Sequence, residues 1–234
     1  MKKRRLWILG IVVILFSSAT FYLSQAYPAK IDNLNPEVKI SNNENVILLS
    51  GSNHEKNEGI IFYPGAKVEP YAYALLLEPF ALQGYEVVIA KMPFNLAILK
   101  VDAADKIIAA HPHITKWHLV GHSLGGAMAG KYLSQNPSKI SSITFLASYT
   151  TESLKDYDGP VLSIRASQDN ILDQDKYLQY YENLPQSTHE IIIEGGNHSQ
   201  FGNYGQQKKD GQATITDQEQ KQQIQKAIQT LLNP

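Results

Sequence analysis

Not one of the 234 residues is cysteine. That single absence removes disulfides, thiolate metal sites, a thiol nucleophile and a lipidated N-terminal cysteine. Low-complexity tracts are also missing, and 43% hydrophobic residues is enough for a sizeable core. Past residue 30 the chain is short of positive charge. Residues 31–234 carry 16 Lys and Arg against 22 Asp and Glu, a net charge of −6. Binding nucleic acid needs a basic patch, so nucleic acid is not expected as a partner. Strong electrostatic attraction to anionic lipid is not expected either. The length fits one α/β domain.

The N-terminus differs from the rest. Lys2-Lys3-Arg4-Arg5 is followed by an apolar run, residues 6–23, broken at the start only by Gly10. Four charges before such a run mark a targeting segment. Cleavage after Ser24-Gln25-Ala26 would release the chain as a secreted protein. Retention would leave an anchor near the lower length limit for spanning a bilayer. The run exceeds the usual signal core, which favours an anchor. Either way the basic end stays inside and the rest is exported. The expected organisation is residues 1–26 as signal-anchor or signal peptide, 27–36 as linker and 37–234 as the α/β domain. The membrane is contacted through the N-terminal segment alone, and nothing signals a protein partner.

Residues 37–41, 45–50, 59–63, 86–90, 116–120, 141–147, 160–166 and 188–194 read as strands. Several are continuous apolar runs, the pattern of strands buried on both faces. Helical spacing covers 69–83, with Pro79 as a kink, and 99–110, 127–135 and 173–183. A final helix starts at the capping box Thr216-Asp217-Gln218-Glu219 and buries Ile224, Ala227, Ile228, Leu231 and Leu232. Alternation of this kind predicts a mostly parallel sheet with helices on both faces. Ligands then bind beyond the carboxyl ends of the strands.

The chemistry sits at those ends. Trp117 to Val120 feeds Gly121-His122-Ser123-Leu124-Gly125, and a helix follows. In a strand–turn–helix context this motif exposes the Ser123 hydroxyl, and only small residues fit beside it. The helix start aims free N–H groups at any oxyanion formed there. A serine needs a base, and the base needs an orienting group. Of seven histidines, His198 stands on a loop after the last strand, in Glu194-Gly195-Gly196-Asn197-His198, where two glycines free the chain. His54, His111, His113, His118 and His189 read as surface or satisfied-core histidines. His122 adjoins Ser123, but neighbours on a tight turn point apart, so it reads as structural. Asp169 lies just past a strand end. Asp173 and Asp175 are its rivals, and both suit the first turn of a helix. The order Ser123, Asp169, His198 is that of a hydrolase triad. The backbone N–H of Leu124, with that of Ala66 or alternatively Lys67, would form the oxyanion hole.

From about Gly59 to Leu232 the chain resembles the α/β-hydrolase superfamily, and most of all its small, lidless dienelactone-hydrolase-like branch. Tyr-Pro-Gly-Ala-Lys-Val at 63–68, Gly-His-Ser-Leu-Gly-Gly at 121–126 and Gly-Gly-Asn-His-Ser-Gln-Phe-Gly at 195–202 carry the resemblance. It implies an α/β-hydrolase fold without a cap domain, and an esterase-type hydrolase using Ser123, Asp169 and His198. The dienelactone hydrolases themselves use cysteine, so their substrate does not carry over. Pro64-Gly65 also replaces the usual His-Gly of the oxyanion loop.

Only residues 148–159 are available for a lid. An open pocket suits small or exposed acyl esters, cleaved through an acyl-enzyme. Tyr71, Tyr73, Met92, Phe94 and Tyr149 are candidates to line it. The long loop 199–215 is expected as a structured rim. Its Asp210-Gly211 lacks the further oxygen ligands of a calcium loop, so neither a metal nor any cofactor is expected. The same triad would serve a thioesterase, amidase or acyltransferase. A membrane-tethered binding protein on an inactive hydrolase fold is the alternative of another class.

Overall fold

The computed structural model describes residues 25–52 and 56–233, together with Trp7 and Ile11. Apart from these few positions, the expected anchor lies outside the described residues, as does His54. Among the described residues no helix is long and apolar enough to cross a membrane.

The segments read as strands become β1 Lys39–Asn42, β2 Val46–Ser50, β3 Glu58–Tyr63, β4 Glu86–Ala90, β5 Lys116–His122, β6 Ser142–Leu146, β7 Val161–Ala166 and β8 His189–Ile193. They form one sheet in the order β1-β2-β4-β3-β5-β6-β7-β8. β3 to β8 are parallel, whereas β2 is antiparallel to both β1 and β4. Alternate residues of a strand face opposite sides. Ile60 and Phe62 accordingly join one buried cluster, with α1 (Ala74–Leu82) and α5 (Asp217–Leu232). Ile61 and Tyr63 join the other, with α2 (Ala103–Ala110) and α3 (Leu124–Gln135). Helix α4 is Gln174–Tyr181. This is the mostly parallel, two-sided architecture that the resemblance implied. Residues 147–160, between β6 and β7, form no helix or strand, so no cap domain stands over the strand ends.

Two helices depart from their expected bounds for tertiary reasons. The segment expected as one helix over 69–83 starts as a 3-10 turn, Pro70–Tyr73, before α1. Pro79 stays inside α1, although proline has no N–H for the carbonyl four residues back. That carbonyl is Leu75, and Gln225 of α5 donates its Nε2 hydrogen to it instead, at 3.2 Å. Helix α2 begins at Ala103 rather than Leu99. Tyr63 from β3 caps its start: its hydroxyl donates to the Val101 carbonyl at 2.7 Å and accepts from Ala104 N–H at 2.9 Å. The capping box at Thr216 and Glu219 forms as expected.

The segment expected as a linker, 27–36, is instead a strap fastened across the domain. Tyr27 N–H donates to the Lys67 carbonyl at 2.7 Å, and the Tyr27 carbonyl accepts from Glu69 N–H. Lys30 N–H reaches the Asn203 carbonyl, and the side chains of Glu69 and Glu78 hold Ala29 N–H and Asn35 N–H. Tyr27 also packs its ring on Tyr204. The Tyr27 ring contact and five backbone bonds make this segment part of the fold.

Candidate active site

Strand β5 ends at His122, and the next residue turns the chain into α3. Ser123 has φ 52° and ψ −125°, a conformation a non-glycine residue adopts only when its surroundings enforce it. The enforcement is steric. A Cβ at Gly121 would stand 2.6 Å from the Gly126 Cα, and one at Gly125 only 2.1 Å from the Tyr63 carbonyl oxygen. β6 supports the turn from the other side. Ser123 N–H donates to the Leu146 carbonyl at 2.9 Å, and Ser148 Oγ donates to the Ser123 carbonyl at 2.7 Å. The amides of the first turn of α3, Leu124 among them, have no helical carbonyl behind them.

Asp169 and His198 meet across the ends of β7 and β8. His198 Nδ1 donates to Asp169 Oδ2 at 2.8 Å, and both side chains are almost fully buried. With its Nδ1 hydrogen on the carboxylate, the neutral ring keeps Nε2 as an acceptor. The other carboxylate oxygen accepts from Ile171 N–H and Leu172 N–H, each at 2.8 Å. Asp173, a rival for the acidic role, caps α4 by accepting from Lys176 N–H, and Asp175 lies in the first turn of that helix.

The two glycines before His198 constrain the loop instead of freeing it. Gly195 has φ +78°, a region that favours glycine. A Cβ at Gly196 would stand 2.3 Å from Gln220 Oε1. Gln220, fully buried on α5, accepts from Asn197 N–H and donates to the Asn197 carbonyl, both at 2.9 Å. Asp210 holds the other side: its carboxylate accepts from Ser199 N–H at 2.8 Å, Ser199 Oγ–H at 2.6 Å and, more weakly, Asn170 N–H at 3.3 Å. The 199–215 segment is thus an ordered brace that joins the loops bearing His198 and Asp169. Neither Gln220 nor Asp210 was legible as a site residue, because each acts through a neighbour's backbone.

The loop after β3 separates the two oxyanion candidates. Lys67 N–H is already bonded to the Asn95 carbonyl at 2.8 Å. Gly65 N–H donates to the Tyr73 hydroxyl at 3.0 Å. Among the described residues, Ala66 N–H makes no such bond. Tyr73, having accepted from Gly65, gives its own hydrogen to His122 Nδ1 at 2.9 Å. The His122 ring lies 4.6 Å from that of His198 and stacks on Phe201. Burial holds His122 well below the usual histidine pKa, and a positive charge on His198 would lower it further. Burial also pushes the Tyr73 hydroxyl up. His122 thus packs against the His198 ring, with Tyr73 on its Nδ1 and Phe201 stacked on its face. Three other histidines are satisfied elsewhere, His118 by Ser142 and Glu58, His111 and His113 by Glu86, and His189 is exposed at the start of β8.

Ser123, Leu124 and His198 line one cavity of about 240 Å³, with Ala127, Ala147, Ser148, Tyr149, Ile171, Leu172 and Asp173. Of the five apolar candidates only Tyr149 is there. Tyr73 is buried beneath the site, and Tyr71, Met92 and Phe94 lie off the cavity. The apolar pair Ile171–Leu172 was missed, because it follows Asp169 in a polar-looking loop. A larger cavity, about 570 Å³, lies between β2 and α2. It contains none of the candidate residues, so chemistry and not size selects the smaller one.

A family model described as "Alpha/beta hydrolase family" matches residues 59–222. A search of curated proteins by sequence returns no match. Solved structures do match in shape. A predicted CIB-like hydrolase of Thermoplasma acidophilum is 16% identical, with TM-score 0.60 over 82% of this chain and 97% of its own. An esterase of Pyrococcus furiosus is 12% identical, with TM-score 0.61 over 87% and 95%. Esterase 2 of Thermogutta terrifontis, phosphorylated by paraoxon, is 11% identical, with TM-score 0.60 over 87% and 98%. At these identities the likeness is one of fold.

Proposed function

The chain is a hydrolase of the alpha/beta hydrolase family, and from that premise we propose that it cleaves small or exposed acyl esters through an acyl-enzyme on Ser123. The observation that carries the reading is the 2.8 Å bond from His198 Nδ1 to Asp169, in a cavity that His198 shares with Ser123. His198 Nε2 takes the Ser123 proton as Oγ attacks the acyl carbonyl. Asp169 holds the ring tautomer and stabilises the imidazolium. The N–H groups of Leu124 and Ala66 receive the oxyanion. His198 then protonates the leaving alcohol, and afterwards activates the water that releases the acid.

The size of the cavity supports a small acyl group. About 240 Å³ falls below the roughly 300–1,000 Å³ common for drug-sized ligands. The absence of a cap over residues 147–160 leaves the alcohol side open. Phosphorylation by paraoxon, as in the Thermogutta esterase, is the reactivity expected of Ser123 too. We place the domain outside the cytoplasmic membrane, tethered by residues 6–23.

Labelling of the full chain with a fluorophosphonate, beside hydrolysis of a short-chain p-nitrophenyl ester, tests the reading. Ser123→Ala is expected to abolish labelling and to lower kcat by more than about 10³-fold. A folded parent chain that neither labels nor turns over would return the protein to the binding-protein class.

A further inference from the structure

The loop that bears Ala66 is pinned from two sides through one residue. Lys67 N–H donates to the Asn95 carbonyl at 2.8 Å, and the Lys67 carbonyl accepts from Tyr27 N–H at 2.7 Å. The first bond ties the loop to the turn after β4. The second ties it to the strap, into which residues 1–24 lead.

That turn is unusually apolar for a surface. Phe94 is 47% exposed, Ile98 58% and Leu99 53%, three large side chains within six residues. Single exposed apolar residues are ordinary, whereas a cluster marks an interaction site. The backbone is set to display them. Phe94 and Asn95 have φ of 52° and 54°, where a bulky residue such as Phe94 is a genuine outlier. Ala97 is buried beneath, and the segment packs on α3, the helix that begins at the nucleophile. Lys91 and Lys100 flank the turn. Their ammonium groups bond to oxygens of Asn42, Asn43 and Asn45, and among the described residues neither pairs with a carboxylate. Residues 91–101 contain those two lysines and no acid, in a domain of net charge −6.

Where the preceding chain enters says what covers this surface. Residues 6–23 are an apolar run behind four basic residues. The run ends four positions before Tyr27, the first residue of the strap. The root of the bilayer-seeking segment and the apolar turn therefore meet at the same loop. We propose that the turn 93–99 seats in the surface of a lipid bilayer. Phe94, Ile98 and Leu99 enter the interfacial layer, and Lys91 and Lys100 stand at its edge, their ammonium groups held on the asparagines of the β1–β2 hairpin. Amphipathic side chains with an apolar stem and a charged tip suit that depth. The net charge gives no long-range attraction to acidic lipid, so apolar insertion supplies the affinity. On the ester-hydrolase reading, this seating turns the oxyanion loop toward acyl esters carried in the membrane.

The cysteine-free chain allows a direct test. The full chain carrying Ile98→Cys is labelled with an environment-sensitive fluorophore and reconstituted in phosphatidylcholine vesicles. Leu178→Cys, on α4 and 62% exposed, is labelled in parallel. Blue-shifted emission and quenching by nitroxide lipids at 98, with neither at 178, is the expected result. A probe at 98 that reports water as 178 does overturns the proposal. The second arm is Ile98→Asp combined with Leu99→Asp. Hydrolysis of a vesicle-borne acyl ester should fall at least about tenfold, since each buried side chain of this size carries more than one decade of partitioning. Hydrolysis of a soluble p-nitrophenyl ester should be unchanged. Equal effects on both substrates, or none, overturn the proposal. A parent chain that hydrolyses neither substrate overturns the esterase reading instead, and the probe then decides bilayer seating alone.

Discussion

The serine elbow and the histidine loop reach one cavity by different means. At the elbow, bulk is excluded: Gly121, Gly125 and Gly126 leave no room for a Cβ, and the strain at Ser123 is held by neighbours within a few residues and by the ends of β3 and β6. At the histidine loop, side chains from far along the chain do the holding. Gln220 grips the Asn197 peptide, Asp210 grips Ser199, and Tyr73 links the oxyanion loop to His122 beneath His198. One region is positioned by lack of bulk and the other by satisfied hydrogen bonds. Bulk should therefore break the first, and loss of a polar partner should break the second.

The largest effect is expected at the elbow. Gly125→Ala would put a methyl group 2.1 Å from the Tyr63 carbonyl and 2.4 Å from that of Pro64. Neither is the end of a flexible side chain, so the cost should reach at least about 3 kcal/mol, the upper range for overpacking. Urea unfolding measures it, and a loss under about 1 kcal/mol would erase the contrast between the regions.

Gln220→Ala comes next. It strands the buried N–H and carbonyl of Asn197, at about 1–3 kcal/mol for each group left unpaired. Denaturant titration should show that loss, and ester kcat should fall with little change in KM, because His198 is the next residue. Intact stability in this variant would mean that the loop is held by something other than Gln220.

A smaller change is expected from Tyr73→Phe, which removes the acceptor for Gly65 N–H and the donor for His122. About 1–2 kcal/mol of stability should be lost. Steady-state kinetics should show kcat reduced by about tenfold, a fraction of the roughly 10²–10³ attached to one oxyanion donor. Unchanged kcat would detach Tyr73 from the oxyanion loop.

The mildest test is pH. Burial lowers the pKa of both His122 and His118 in the fold. Below about pH 6.5 the unfolded chain takes up protons that the folded chain refuses. Stability contributed by the neutral rings is thus complete above that pH and is lost as pH falls. Each such histidine can remove up to about 1.4 kcal/mol per pH unit. Melting temperatures between pH 7 and pH 5 should drop, and the slope should be shallower in His122→Asn. Equal slopes would place the acid sensitivity outside this network.

Much of the fold was legible because its causes are local. Buried parallel strands need continuous apolar runs, and β4 at Glu86–Ala90 was expected at those limits. The serine elbow needs small residues at fixed offsets, which any reader of Gly121 to Gly125 can see. The order of Ser123, Asp169 and His198 followed from strand ends in succession. What was not legible has non-local causes. Helix α2 starts late because Tyr63, some forty residues earlier, caps it. Residues 27–36 look like a linker because no periodicity marks a strap that takes its bonds from Lys67, Glu69 and Asn203. Ala66 and Lys67 could not be told apart, since nothing in either side chain says which backbone N–H is already bonded.

By itself, the sequence determined the layer architecture, the serine turn and the three residues nominated around it, because periodicity and steric demand act between near neighbours. Only the tertiary structure decided which backbone N–H groups of the loop after β3 are already bonded, and which distant glutamine, aspartate and tyrosine hold the segments around His198. Those depend on hydrogen bonds that close only when segments far apart in sequence are buried together, where an unpaired polar group is costly.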